Sequence, residues 1–243
     1  MNPHEISFTM RPREASFVKH LQREIPNFII LRKDQSRFHK IVAILFKFFC
    51  PNYLTHYTTT IYPRVYLPSK LLLPENSDTR FRALAHEWVH LYDRRQEGPL
   101  FNFRYLFPQS LLLLFWSIAL CVVFWPIAFW VFIGLGVACL LPWPAPFRLS
   151  YELRGYLMSW ALDAWETKQV DWGVKDQIVT QLTGWAYYKT CWNKTKVMRR
   201  LVVAEKWIEG LMRIEGFEGR PTYPYAVVKA FVDKFPRGVN HGR

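Results

Sequence analysis

Two histidines and a glutamate stand at a catalytic spacing in the stretch FRALAHEWVHLYDRR, where His86, Glu87 and His90 form an H-E-x-x-H pattern. On a helix, positions i and i+4 lie about 40° apart around the axis, so both imidazoles face the same way and can hold one zinc ion. The glutamate beside the first histidine reaches a zinc-bound water and takes its proton. Around the same helix, Phe81, Leu84, Trp88, Leu91 and Tyr92 share one apolar arc, whereas His86, His90 and Asp93 fall on the opposite side. The histidines therefore make a polar stripe separate from the core-facing one. The alternative is a solvated face that carries two histidines. Asp93 is placed either to hold a ligand imidazole from behind or to sit as a surface charge beside Arg94 and Arg95.

A catalytic zinc takes a third protein ligand and keeps one position open. The best candidate is Glu152, in LSYELRGYLMSWALDAWE. On a helix, Tyr156, Ser159, Asp163 and Glu166 lie within about 40° of Glu152, while Leu153, Leu157, Trp160 and Ala164 share another face. A carboxylate on so narrow a polar stripe needs a counter-charge, which a zinc ion would supply; Arg148 and Arg154 are the competing partners. Asp93, His56, His39 and His241 are rival ligands with poorer spacing. Tyr156, one turn beyond Glu152, is placed to donate to an oxyanion or to steady a ligand, as is Arg154; packing in the core is the commoner role of such a tyrosine.

The elements that must position these groups read as follows. Ser36–Phe49 predicts a short helix, Thr58–Leu67 an edge strand or hairpin, and Ser77–Arg95 a helix entered through Ser77 or Asp78 as N-cap. Leu149–Lys168, Lys175–Thr190 and Lys194–Gly210 are helical in pattern, with a short helix near Tyr225–Lys234. Between the two halves of the site, Tyr105–Phe147 is a run of 43 residues with no charge. As helix it would measure roughly 65 Å, about twice the ~30 Å apolar thickness of a bilayer. Trp125-Pro126 divides it into 110–124 and 127–141, each about as long as a crossing only if the flanks YLFPQ and PWPAPF contribute. The expectation is a helical hairpin inserted in the membrane, spanning or re-entrant. The basic flanks (Arg94, Arg95 and Arg104 before, Arg148 and Arg154 after) put both ends on the cytoplasmic side. The other reading is a pair of buried core helices. The fold expectation is thus mostly α with a small β-sheet (α+β), divided as 1–104, a membrane hairpin at 105–147, and a helical part at 148–243 that carries the third ligand.

Composition bounds the rest. With 51% hydrophobic and 17% aromatic residues, a disordered chain is excluded, and 243 residues suffice for one domain with an insertion. A net charge of +13 calls for anionic partners, lipid headgroups or nucleic acid. The basic stretch WNKTKVMRR lacks a nucleic-acid module and reads as a solvated face or a contact to anionic lipid, so nucleic acid is the less favoured partner. The four cysteines lie far apart with no C-x-x-C, which argues against a disulfide framework or a cysteine-ligated metal. The first residues carry no apolar stretch behind their charges, unlike a signal peptide, and a reducing, cytoplasm-facing compartment is the default.

On these residues, Thr58 to Glu166 resembles the gluzincin branch of the zincin metallopeptidases, and in layout the HtpX and CAAX-prenyl-protease type of membrane peptidase. The resemblance implies a zincin-like fold, zinc held by His86, His90 and Glu152, and an edge strand at Thr58–Leu67 that takes the substrate as an added β-strand. It departs from that pattern in reading Glu152-Leu-Arg-Gly-Tyr156 where E-x-x-x-D is usual, and in lacking membrane helices before H-E-x-x-H. The expected activity is zinc-dependent hydrolysis of a peptide bond in a protein or peptide substrate at a membrane, with Glu87 as general base. The alternatives are a membrane protein with a structural zinc site or none, and a soluble basic SprT-like zincin acting near nucleic acid.

Overall fold

The computed structural model describes residues 10–45, 47, 50–139, 141, 143–184, 190–213 and 223–235. Eleven helices, α1 Pro12–Glu24, α2 Arg37–Leu45, α3 Tyr53–His56, α4 Ser77–Glu97, α5 Pro99–Tyr105, α6 Leu111–Cys121, α7 Pro126–Ala138, α8 Pro146–Thr167, α9 Gly173–Thr183, α10 Lys194–Arg213 and α11 Tyr223–Lys234, make up most of the described chain. Three short strands, β1 Ile29–Arg32, β2 Thr59–Ile61 and β3 Arg64–Leu67, form a sheet in the order β1-β3-β2. β1 runs parallel to β3 with Ile30 opposite Val65, and β2 pairs antiparallel to β3 with Thr60 opposite Val65. β2 is therefore an edge strand, and it lies against α4.

The core is built on α4 and α8, which pack side by side. Leu84, Trp88 and Leu91 of α4 and Met158, Trp160 and Ala161 of α8 are fully buried, together with Phe17 and Leu21 of α1. An ion network pins α1 onto the start of α4. The Arg80 guanidinium is fully buried against Glu14, with Nη2 to Oε2 at 2.8 Å, and also donates to the Leu71 carbonyl at 2.7 Å. Ser77 was expected to cap α4. Instead the helix starts at Ser77 itself, whose hydroxyl donates to Glu14 at 3.2 Å, while Asp78 in the first turn pairs with Arg11 at 3.0 Å. A carboxylate there still favours the helix N-terminus electrostatically.

The charge-free run departs from the sequence expectation. It contains two short helices, α6 with 11 residues and α7 with 13, and no described helix is long and apolar enough to cross a membrane. At 1.5 Å per residue they measure roughly 17 and 20 Å, against the ~30 Å of a bilayer core. The flanks that were to lengthen them do not do so. Tyr105 closes α5, residues 106–110 turn, and 143–145 have no regular structure before α8 opens at Pro146. The inserted membrane hairpin is thus not supported. The buried-core alternative fits no better, because α6 and α7 pack on each other while Leu120, Phe124 and Ile127 stay exposed.

Two other expectations extend past the described residues. Phe48 and Phe49, at the end of the predicted first helix, and 185–189, within Lys175–Thr190, lie outside them, as does His241.

Candidate metal centre

The polar stripes of α4 and α8 face each other. Arg82 pairs with Asp163, His86 and His90 face Glu152, and Arg13 of α1 takes Glu166 at the far end of α8. The reversed order of these pairs makes the two helices antiparallel. The histidine stripe is neither a solvated face nor a free surface; α8 covers it, and Glu87, His90, Asp93 and Glu152 are all buried.

At the centre, His86 Nε2 and His90 Nε2 stand 3.2 Å apart, and Glu152 Oε2 lies 3.7 Å from the first and 4.0 Å from the second. Three ligand atoms set about 2.0–2.1 Å from a tetrahedral zinc would be spaced by roughly 3.3 Å. The donor set fits such an ion. Two nitrogens and one carboxylate oxygen converge, all within 4.8 Å of one another, and His90 and Glu152 are buried. Burial pushes the Glu152 carboxyl up, but the facing His86 and His90 imidazoles outweigh it and hold the group down at about 2. Burial likewise pulls His86 down, and the facing Glu152 and Glu87 carboxylates more than reverse this, so it rises; at His90 burial prevails and the value falls.

Three supporting contacts went unseen in the sequence. Tyr105, on α5, donates its hydroxyl to Glu152 Oε1, and burial and the carboxylate keep the phenol well above its usual value, hence protonated. The signal was available: Gly98-Pro99 has the form of a helix stop followed by a helix start, and Gly98 indeed has φ +62 between α4 and α5. Gly155, in the interior of α8, lets the His86 ring approach its backbone. A glycine inside a helical pattern marks such a close approach. Thr58 and Thr60 donate to the two oxygens of Glu87, Thr60 at 2.6 Å to Oε2. Residues i and i+2 of a strand share a face, which is how both hydroxyls reach one carboxylate.

The remaining sequence candidates take other places. Tyr156 sets its ring edge-on to His86, centroids 5.0 Å apart. Arg154 pairs with Asp93 at 2.8 Å, so that neither is directed at Glu152 or a ligand imidazole. His39 is buried and bonds Tyr53 at 2.8 Å, and His56 bonds Thr55 at 2.8 Å. Comparison of the chain with protein-family models, with curated proteins and with solved structures finds no match.

Proposed function

We propose that this protein is a zinc-dependent metallopeptidase. The observation that carries the reading is the convergence of His86 Nε2, His90 Nε2 and Glu152 Oε2 from two antiparallel helices, one residue away from a carboxylate that two threonines hold in place. His86, His90 and Glu152 would hold the ion, which when bound supplies a Lewis acid and lowers the proton affinity of water. Glu87 takes the proton from the attacking water and delivers it to the leaving amine. Tyr105 keeps one oxygen of Glu152 occupied, so that the other is presented toward the histidines. The edge strand β2, beside Glu87, offers free backbone groups to an extended peptide.

The same reading sets the enzyme against an anionic membrane surface. A net charge of +13 supports it, as do apolar side chains exposed along α6 and α7.

The test is the metal content of purified wild-type protein beside Glu152→Ala, followed by hydrolysis of labelled casein by wild type and Glu87→Gln. About one zinc per chain, weakened in the first variant, with hydrolysis lost in the second, supports the reading. Wild-type protein without zinc removes it.

A further inference from the structure

A buried lysine holds the chain segment that leads to the threonines on Glu87. Lys33, in the short 3-10 turn Lys33–Gln35 after β1, is fully buried, its Nζ donating to the Tyr57 carbonyl at 3.0 Å and standing 3.6 Å over the Tyr53 ring. Desolvation takes the amine down to about 7, opposed by the charge of Glu87. The titratable groups around it are the Cys50 thiol and the Tyr53 and Tyr57 phenols, all pushed up by burial, and His39, pushed down to about 4 by burial and by Lys33 itself. Glu87 is the only carboxylate among these groups. Burying an amine is costly, and an apolar side chain would fill the same space without that cost.

Position explains the lysine. The carbonyl it holds belongs to Tyr57, so its anchor is one residue before Thr58, the first of the two hydroxyls on Glu87. Thr60, two residues further along the same strand face, supplies the second. We propose that Lys33, Thr58 and Thr60 form a positioning unit for Glu87, in which the buried lysine anchors the strand whose hydroxyls fix both carboxylate oxygens. The inference rests on reading Glu87 as the general base of a metal site.

Cobalt(II) is the probe, because its visible absorption reports the state of the site without any substrate. Absorption of the cobalt-loaded full-length protein is followed from about pH 5 to 9 in wild type, Lys33→Met and Thr60→Val. Hydroxyl donors on a carboxylate favour its ionised form, so Lys33→Met, which frees the strand that carries them, is expected to bind cobalt as wild type does while the midpoint of the spectral change moves up by about one pH unit. Thr60→Val moves it the same way by less. A folded Lys33→Met with an unmoved midpoint overturns the inference, as does a wild-type spectrum without a pH-dependent step. If Lys33→Met does not fold, an unmoved midpoint in Thr60→Val overturns it alone. Wild-type protein that takes up no cobalt brings down the metal reading and this inference together, whereas bound cobalt with unmoved midpoints brings down only the inference.

Discussion

Gly155 and His86 meet across the interface of α8 and α4 so closely that a Cβ on Gly155 would stand 2.6 Å from the ring atoms Cε1 and Nε2. Inside a helix, glycine costs roughly 0.5–1 kcal/mol relative to alanine, so the missing methyl has a local cost and a return at the ligand. Gly155→Ala must push the imidazole off its line toward His90 and Glu152. The expected outcome is a loss of zinc affinity of at least ~10-fold and a destabilisation of about 1–3 kcal/mol from overpacking. Competition with a chromogenic chelator and urea unfolding measure the two; unchanged affinity in this variant would contradict the geometry.

Tyr105 makes its bond to Glu152 from a helix that carries no metal ligand. Removing only its hydroxyl leaves the ring stacked on Phe101, centroids 5.6 Å apart. Tyr105→Phe should therefore fold as wild type does and bind zinc ~10–100-fold more weakly, a smaller loss than in Glu152→Ala. Calorimetric titration of the chelator-treated protein distinguishes the two variants.

Glu87 is held by threonines and not by the ligand set, so its charge can be removed without disturbing the metal. Glu87→Gln is expected to keep about one zinc per chain and to lose peptide hydrolysis by at least ~10²-fold. Metal analysis and a labelled-casein assay on the same preparation check both halves.

Asp93 gives a pH dependence of definite sign. Burial raises its carboxyl to about 7, against the pull of Arg154, from an ordinary value of 3.8. Between those values the folded chain holds a proton that the unfolded chain has released, so this group's contribution to stability declines as pH rises from about 4 to about 7 and is flat above. Glu152 runs the other way, its contribution being present above 4.5 and lost as pH falls toward about 2. The raised His86 contributes below 6.5 and loses this as pH rises through its folded value, in wild type and variant alike. Asp93→Asn, which mimics the neutral acid, should accordingly gain stability relative to wild type between pH 4.5 and 7.5. Urea midpoints of the chelator-treated proteins at those two pH values measure it, and a constant difference would refute the assignment.

The parts legible in the sequence are those set by helical period. His86 and His90 lie one turn apart, Glu152 begins a polar stripe, and the helical segments around them lie close to where their apolar spacing put them. Contacts between elements far apart in the chain were not legible. Tyr105 looked like the first residue of an apolar run, because composition registers the absence of charge and says nothing of where α5 stops. The same run was too coarse a unit at its centre, where turns at 106–110 and 122–125 leave two helices that are each too short to cross a bilayer. Thr58 and Thr60 read simply as strand residues, since nothing local indicates which helix a strand face will meet.

The ligands lie on either side of the segment that holds α5, α6 and α7. An ion bound by His86, His90 and Glu152 would close a long loop of chain, and closing a long loop in advance takes conformational freedom from the unfolded state. On that reading the centre would be a cross-link as well as the proposed reaction site, one that cannot form until α8 has been made and has docked. Uptake of metal would accordingly lock a tertiary fold already made, and its removal by a chelator would lower the melting temperature.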